Sequence, residues 1–305
     1  MTALPKSTYL RLLENRERSI SRYRPDYPLV FFIALSRFSF GISIVCGILQ
    51  ISGRFEETRV VMNITALGSL LLAIALSLTH LGAPKGFMRM VRNIRSRLTW
   101  EIGLSGIFLP ILVANLAFLS LDMGGTRVKA TLGVIMLVIA VSALISSGFA
   151  YQFSTHPSWN TNLLPIIYLC SGLILGLSFT GVVAQVVETA PFLQYASIPP
   201  FILGFLILAQ VSVGYAYIRY LKGFLDRTTY ELLRGKSSTL FWTYMNLSFF
   251  LPLLIILVAL FRGGFELLPS VSLTVALLLG AYLERILFFS IEKPIYFFYY
   301  VGEKR

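Results

Sequence analysis

Eight long apolar runs separated by short polar segments set the pattern of this chain, lying near residues 28–50, 60–80, 100–121, 128–151, 162–184, 195–218, 239–261 and 268–290. At 1.5 Å per residue, about 20 helical residues cross the roughly 30 Å of bilayer hydrocarbon, and each run is long enough. The runs stay apolar on every face, whereas barrel strands are shorter and alternate in polarity. The pattern predicts an all-α fold, a polytopic membrane bundle of eight transmembrane helices. The connecting segments are too short for a soluble catalytic domain. Any chemistry therefore sits in the bilayer, at its edge or on a partner. Residues 1–27 read as an amphipathic N-terminal arm, 28–290 as the transmembrane domain and 291–305 as a short C-terminal tail. Within the bundle two organisations are open: one domain, or two four-helix halves divided near 152–161.

Composition supports the membrane reading. The chain is 56% hydrophobic and 13% charged, with mean hydropathy +0.76, where soluble domains are roughly a quarter charged. The arm carries six Lys and Arg against three acids, with Leu4, Tyr9, Leu10, Leu12 and Leu13 between them. That suits a helix lying at the interface. A full-length first span with no small-residue cleavage site argues against a secretory signal, so the arm is expected to be retained.

Charge also gives an orientation. The arm, the segments around 81–99, 152–161 and 219–238, and the tail hold 6, 5, 0, 5 and 3 Lys plus Arg, against 2, 2, 0 and 1 in the four opposite loops. By the positive-inside rule the basic set, with both termini, faces the cytoplasm. The net charge of +12 is then topological and implies no nucleic-acid partner. Cys46 and Cys170 lie within spans and form no Cys-x-x-Cys pair, so they offer neither a thiolate cage nor a disulfide frame and read as small core residues. Pro110, Pro165, Pro199, Pro200 and Pro252 fall in or near spans, where proline kinks helices and frees carbonyls. In the uncharged segment 152–161, Pro157 and an interfacial Trp159 are expected to fix the shape.

Candidate chemistry concentrates where the second span ends and the third begins. His80 closes one helix, Gly82 and Pro84 turn the chain, and Trp100 and Glu101 open the next. Oxidising a quinol removes two electrons and two protons, so its site needs an apolar slot and groups that accept protons. A histidine and a partly desolvated carboxylate suit that task. The alternative is that His80 and Glu101 only cap helix ends at the interface. Arg37 stands about 15 Å inside the first span, where a charge needs a partner or a polar cavity; Glu101, a quinone carbonyl and a structural ion pair are the candidates. Glu284 and Arg285, neighbours in the eighth span, point about 100° apart on a helix and are expected to find separate partners. They form a possible second polar site, structural or subunit-docking in role. His80 and His156 both sit at helix ends on one side, so no haem is expected. No Walker loop, His-Glu-x-x-His or Asp-x-x-x-Asp spacing is present, so no metal site is expected in this chain. Polar residues within the spans are few, which weakens a transporter or channel reading, the alternative from another functional class.

Several of these stretches also carry a resemblance. Tyr-Pro-Leu-Val-Phe-Phe at the first span, Thr-His-Leu-Gly-Ala-Pro through Trp-Glu-Ile at 79–102, and Thr-His-Pro-Ser-Trp-Asn-Thr-Asn-Leu-Leu-Pro at 155–165 resemble the membrane anchor subunit of the dimethyl sulfoxide reductase family (DmsC), a relative of the NrfD-type quinol-interacting subunits. Gly-Ala-Tyr-Leu-Glu-Arg-Ile-Leu-Phe-Phe at 280–289 is a weaker match. The resemblance implies an anchor that binds menaquinol or ubiquinol without haem and exchanges electrons with a four-cluster iron–sulfur subunit, which serves a molybdopterin catalytic subunit. It implies quinol roles for His80 and Glu101; Arg37, which has no counterpart in that pattern, is expected to orient the head group. The basic residues Lys85, Arg89, Arg92, Arg95 and Arg97 are expected to help dock the iron–sulfur subunit. The chain departs from the family pattern at Trp100, where Arg or Asn is frequent, and at Arg37, where a neutral polar residue is usual. Ala281 replaces an expected glutamate, and Glu284 appears where glycine is common. A similar anchor serves sulfite dehydrogenases that reduce quinone, so both directions of electron flow stay open.

Overall fold

The computed structural model describes residues 26–80, 93, 96–152, 158–187, 198–224, 232–235 and 237–290. Eight helices long and apolar enough to cross a membrane fill them: α1 (Tyr27–Ile51), α2 (Glu56–His80), α3 (Arg97–Ser120), α4 (Thr126–Ala150), α5 (Leu163–Val187), α6 (Ile198–Phe224), α7 (Ser238–Phe261) and α8 (Leu267–Ser290). The described residues contain no strand. Seven spans fall within a few residues of the sequence expectation. The sixth runs on past the expected 218 to Phe224, because Arg219 and Lys222 lie in its last turns, where long basic side chains reach the interface from a helical backbone.

Local sequence explains the ends and the one irregularity. Pro28 occupies the first turn of α1, where its missing N–H has no helical acceptor to lose. Glu56 and Glu57 open α2, placing carboxylates against the positive end of its dipole. Helix α7 is α-helical over Ser238–Met245, opens into a π-helical turn over Asn246–Phe250 and resumes over Leu251–Phe261. Pro252 follows that turn and cannot donate to the carbonyl of Ser248, so the wider turn accommodates the break. Pro110 sits inside α3 without ending it.

Helix α1 is the hub. It packs against α2, α4, α5 and α8, and 78% of its most apolar stretch is buried, against 28% or less for α2, α3, α4, α6 and α7. Helix α3 closes on α2 and α4, while α6 and α7 stack beyond α5 and α8. Hydrocarbon outside the bundle is as apolar as leucine, so association depends on close packing of small residues. A Cβ on Gly176 of α5 would lie 2.1 Å from the Gly41 carbonyl oxygen of α1, and one on Gly41 would lie 1.9 Å from the carbonyl oxygen of Gly172. Only hydrogen fits at that crossing.

The spans are less uniformly apolar than the sequence reading held. Near the 51–56 and 120–126 turns, Gln50 Nε2 donates to Asn115 Oδ1 at 2.8 Å and to the Lys129 carbonyl at 2.7 Å. Asn115 Nδ2 donates to Asn63 Oδ1 at 3.1 Å, and Asn63 Nδ2 donates to the Arg59 carbonyl and approaches Cys46 Sγ. This ladder ties α1, α2, α3 and α4 together. Cys46 is buried and Cys170 half-buried, both as free thiols, in keeping with small core residues.

Trp159 is not an interfacial anchor. It is buried, its ring stacks on Phe288 at 4.9 Å, and its Nε1 donates to the Phe288 carbonyl at 3.2 Å. The indole N–H finds its acceptor within the protein, so the ring folds inward against α8 instead of reaching the head groups.

Candidate functional site

A second set of polar side chains occupies the opposite half of the bundle, toward the end where α1 begins and α8 finishes. Arg37 of α1 and Arg285 of α8 are each 1% exposed. Arg37 Nη1 donates to Glu284 Oε2 at 2.8 Å and to Ser171 Oγ of α5 at 3.0 Å. Arg285 donates to Glu284 Oε1, and its Nη1 donates to the Tyr168 hydroxyl at 2.7 Å. One carboxylate therefore bridges two guanidiniums. Both guanidiniums also lie against the Tyr168 ring, 4.0 and 4.6 Å from its centre, and Arg285 lies 4.5 Å from that of Phe288. Ring quadrupoles stabilise cations most where water is excluded.

This geometry corrects one expectation and decides another. Glu284 and Arg285 do contact each other. Their Cα–Cβ bonds diverge, but both side chains are long, and burying them in hydrocarbon makes pairing outweigh the unfavourable helical offset. Arg37 takes Glu284, not Glu101, as its ion-pair partner. Two of the positions at which the chain departs from the resemblance, Arg37 and Glu284, thus form one ion pair. Sequence reasoning missed Tyr168 and Ser171, which offer no signal beyond being polar residues in an apolar run.

Glu101 lies one turn inside α3 and is 3% exposed. Ser147 of α4 and Arg37 of α1 both lie within electrostatic reach of its carboxylate. Its Oε2 has no hydrogen-bond partner among the described residues, and neither do Arg37 Nε and Nη2 or Arg285 Nε. Unpartnered acceptor and donor positions on charged, buried groups are costly and are the features a polar ligand would satisfy. Trp100, the adjacent residue, is 58% exposed on the outer face of α3. Arg97 caps the end of α4, donating to the Gln152 carbonyl and side-chain oxygens at 3.1 Å each. His80 ends α2. Its side chain, with His156, Gly82, Pro84, Lys85, Arg89, Arg92 and Arg95, lies outside the described residues.

A cavity of about 220 Å³ opens between α5, α6, α7 and α8 and reaches Glu284 and Arg285 at its polar end. A smaller void of about 10 Å³ adjoins Ser171, Gln210, Ser248 and Glu284. No group of three or more His, Cys, Asp or Glu that could hold a metal occurs among the described residues.

An eight-helix bundle with buried charge in one half is an architecture shared by many membrane proteins, and the family comparison separates them. Residues 22–291 match the DMSO reductase anchor subunit (DmsC) family. The chain belongs to that family. It is therefore a multi-pass membrane anchor subunit of a DMSO reductase-type oxidoreductase complex, which also contains catalytic and iron–sulfur subunits. No individually curated protein matches the chain.

Proposed function

We propose that this DmsC-family anchor binds quinol or quinone at the α2–α3 junction and passes electrons to the iron–sulfur subunit of its complex. Glu101 carries the reading: a buried carboxylate, one turn inside the membrane, with an oxygen that has no partner among the described residues. Glu101 and His80 accept the two protons released as the quinol is oxidised, or return them when quinone is reduced. Arg37, held by Glu284 and Ser171, orients the ring oxygen through its remaining N–H groups. Gly82, Pro84 and Trp100 shape the entrance. The basic segment Lys85, Arg89, Arg92, Arg95 and Arg97 docks a four-cluster iron–sulfur subunit, which feeds a molybdopterin catalytic subunit. The quinone is menaquinone or ubiquinone, and both termini lie on the cytoplasmic side of a bacterial inner membrane.

In this reading the proton acceptor and the electron acceptor sit on different polypeptides, so the two halves of turnover separate experimentally. Glu101→Gln in the assembled complex should abolish quinol-coupled turnover. A water-soluble dye that delivers electrons directly to the partner subunits should still support substrate reduction. Undiminished quinol-coupled turnover in Glu101→Gln rules out the assignment.

A further inference from the structure

The cavity between α5 and α8 is separate from the α2–α3 junction and has a built polar end. Glu284 and Arg285 line its head, and Arg37, off the cavity wall, pairs with Glu284. That cluster is cationic and short of acceptors: Arg285 borders the cavity and its Nε has no partner among the described residues. Gln210 of α6 is buried and borders both the cavity and the small void. The remaining wall is aromatic and aliphatic, with Phe241, Tyr244 and Phe249 of α7 facing α8. A site with this lining takes an apolar molecule bearing a hydrogen-bond acceptor.

Depth narrows the class. Arg285 lies five residues from the end of α8, about 8 Å inside the span. A phospholipid carries its phosphate in the head-group layer, whereas a prenylated quinone carries its carbonyl oxygens on a ring that is itself soluble in hydrocarbon. The volume, below the roughly 300 Å³ at which pockets for drug-sized ligands begin, suits one substituted ring with its tail leaving between helices. We propose that this cavity is a second quinone site, in which a ring carbonyl accepts hydrogen bonds from Arg285 and Gln210. The proposal rests on the reading that the chain serves the quinone pool, but not on Glu101 being the site.

The test uses the whole complex in native membranes with a photoreactive azidoquinone, and maps labelled peptides by mass spectrometry. Label is expected on α6, α7 or α8 and should be chased by excess unlabelled quinone. A Cβ at Gly214, on the cavity wall, meets no atom within 4 Å, so Gly214→Phe places a ring in open space and should remove this label. Gln210→Leu deletes one anchor and should weaken labelling by about three- to tenfold. Absence of label from α6–α8, label that persists in Gly214→Phe, or a phospholipid displaced by Gly214→Phe with no quinone displaced would each overturn the proposal. Label on α6–α8 with none on α2 or α3 would sink the Glu101 assignment and leave the second site standing.

Discussion

Glu284→Gln should destabilise the protein far more than Arg37→Gln, although the two residues form one ion pair. The carboxylate is shared: it pairs with Arg37 at 2.8 Å and with Arg285 through its other oxygen. At an effective dielectric of about 20, a 2.8 Å pair attracts by roughly 6 kcal/mol before desolvation is subtracted. Removing Arg37 leaves Glu284 and Arg285 still paired, and costs little more than a hydrogen bond or two, about 1–2 kcal/mol. Removing the Glu284 charge leaves two buried guanidiniums with, among the described residues, hydroxyls and the Tyr168 and Phe288 rings for partners but no anion. Breaking a buried pair from the side that strands a charge costs about 3–5 kcal/mol. The Arg37→Gln, Glu284→Gln double variant should lie between the two single variants, since it leaves one stranded cation instead of two. Reversible unfolding in mixed detergent micelles, followed by tryptophan fluorescence, measures all three. Equal losses in both single variants, or a loss below about 1 kcal/mol in Glu284→Gln, would refute the shared-carboxylate reasoning.

Three further outcomes follow from the packing and the turns. Gly176→Ala places a Cβ 2.1 Å from the Gly41 carbonyl oxygen, which backbone can relieve only by moving; a loss of about 1–3 kcal/mol is expected in the same assay, and a neutral result would show that the crossing yields. Asn115→Leu takes one of its two acceptors from the Gln50 amide and strands the Asn63 carbonyl oxygen, costing about 1–3 kcal/mol for the buried group left unpaired, whereas Leu at an exposed α3 position such as Val113 should change nothing. In the 120–126 turn, a hydrogen bond from Lys129, and then its charge, hold the Asp122 carboxyl below the ordinary carboxylate range. Such a depressed group contributes stability above its unfolded pKa and loses it as pH falls through the lower folded value. Wild type and Asp122→Asn should therefore converge in strong acid and differ slightly at neutral pH; a difference that grows on acidification would reverse the sign.

Helix number and position were legible because bilayer thickness imposes a length that the sequence must satisfy, and charged residues mark the turns. The exception at α6 is instructive: Arg219 and Lys222 have the charge expected of a loop, although a helix can carry basic residues in its last turns when their heads reach water. Trp159 misled for the converse reason, since a tryptophan beside polar residues at a helix start has the composition of an interfacial anchor. Only the Phe288 carbonyl across the bundle shows otherwise. The Gln50–Asn115–Asn63 ladder was invisible because its members lie on three helices and near span ends, each unremarkable by itself.

The partner of Arg37 could have been ranked from the sequence by depth. Arg37 sits ten residues from the start of α1, Glu284 six from the end of α8 and Glu101 four from the start of α3, or about 15, 9 and 6 Å inside the same half of the bundle at 1.5 Å per residue. In hydrocarbon the deepest cation is the most costly to leave unpaired, so it should claim the deepest carboxylate, and the structure has it do so. That choice has a chemical consequence. Once Glu284 neutralises Arg37, the shallower Glu101 is left with Ser147 nearby and with an oxygen that has no partner among the described residues. A carboxylate locked in an ion pair makes a poor proton acceptor, because protonation must first break the pair. The deep ion pair therefore leaves Glu101 better suited than Glu284 to exchange a proton with a ligand, and directs Glu284 toward holding Arg37 and Arg285 in place.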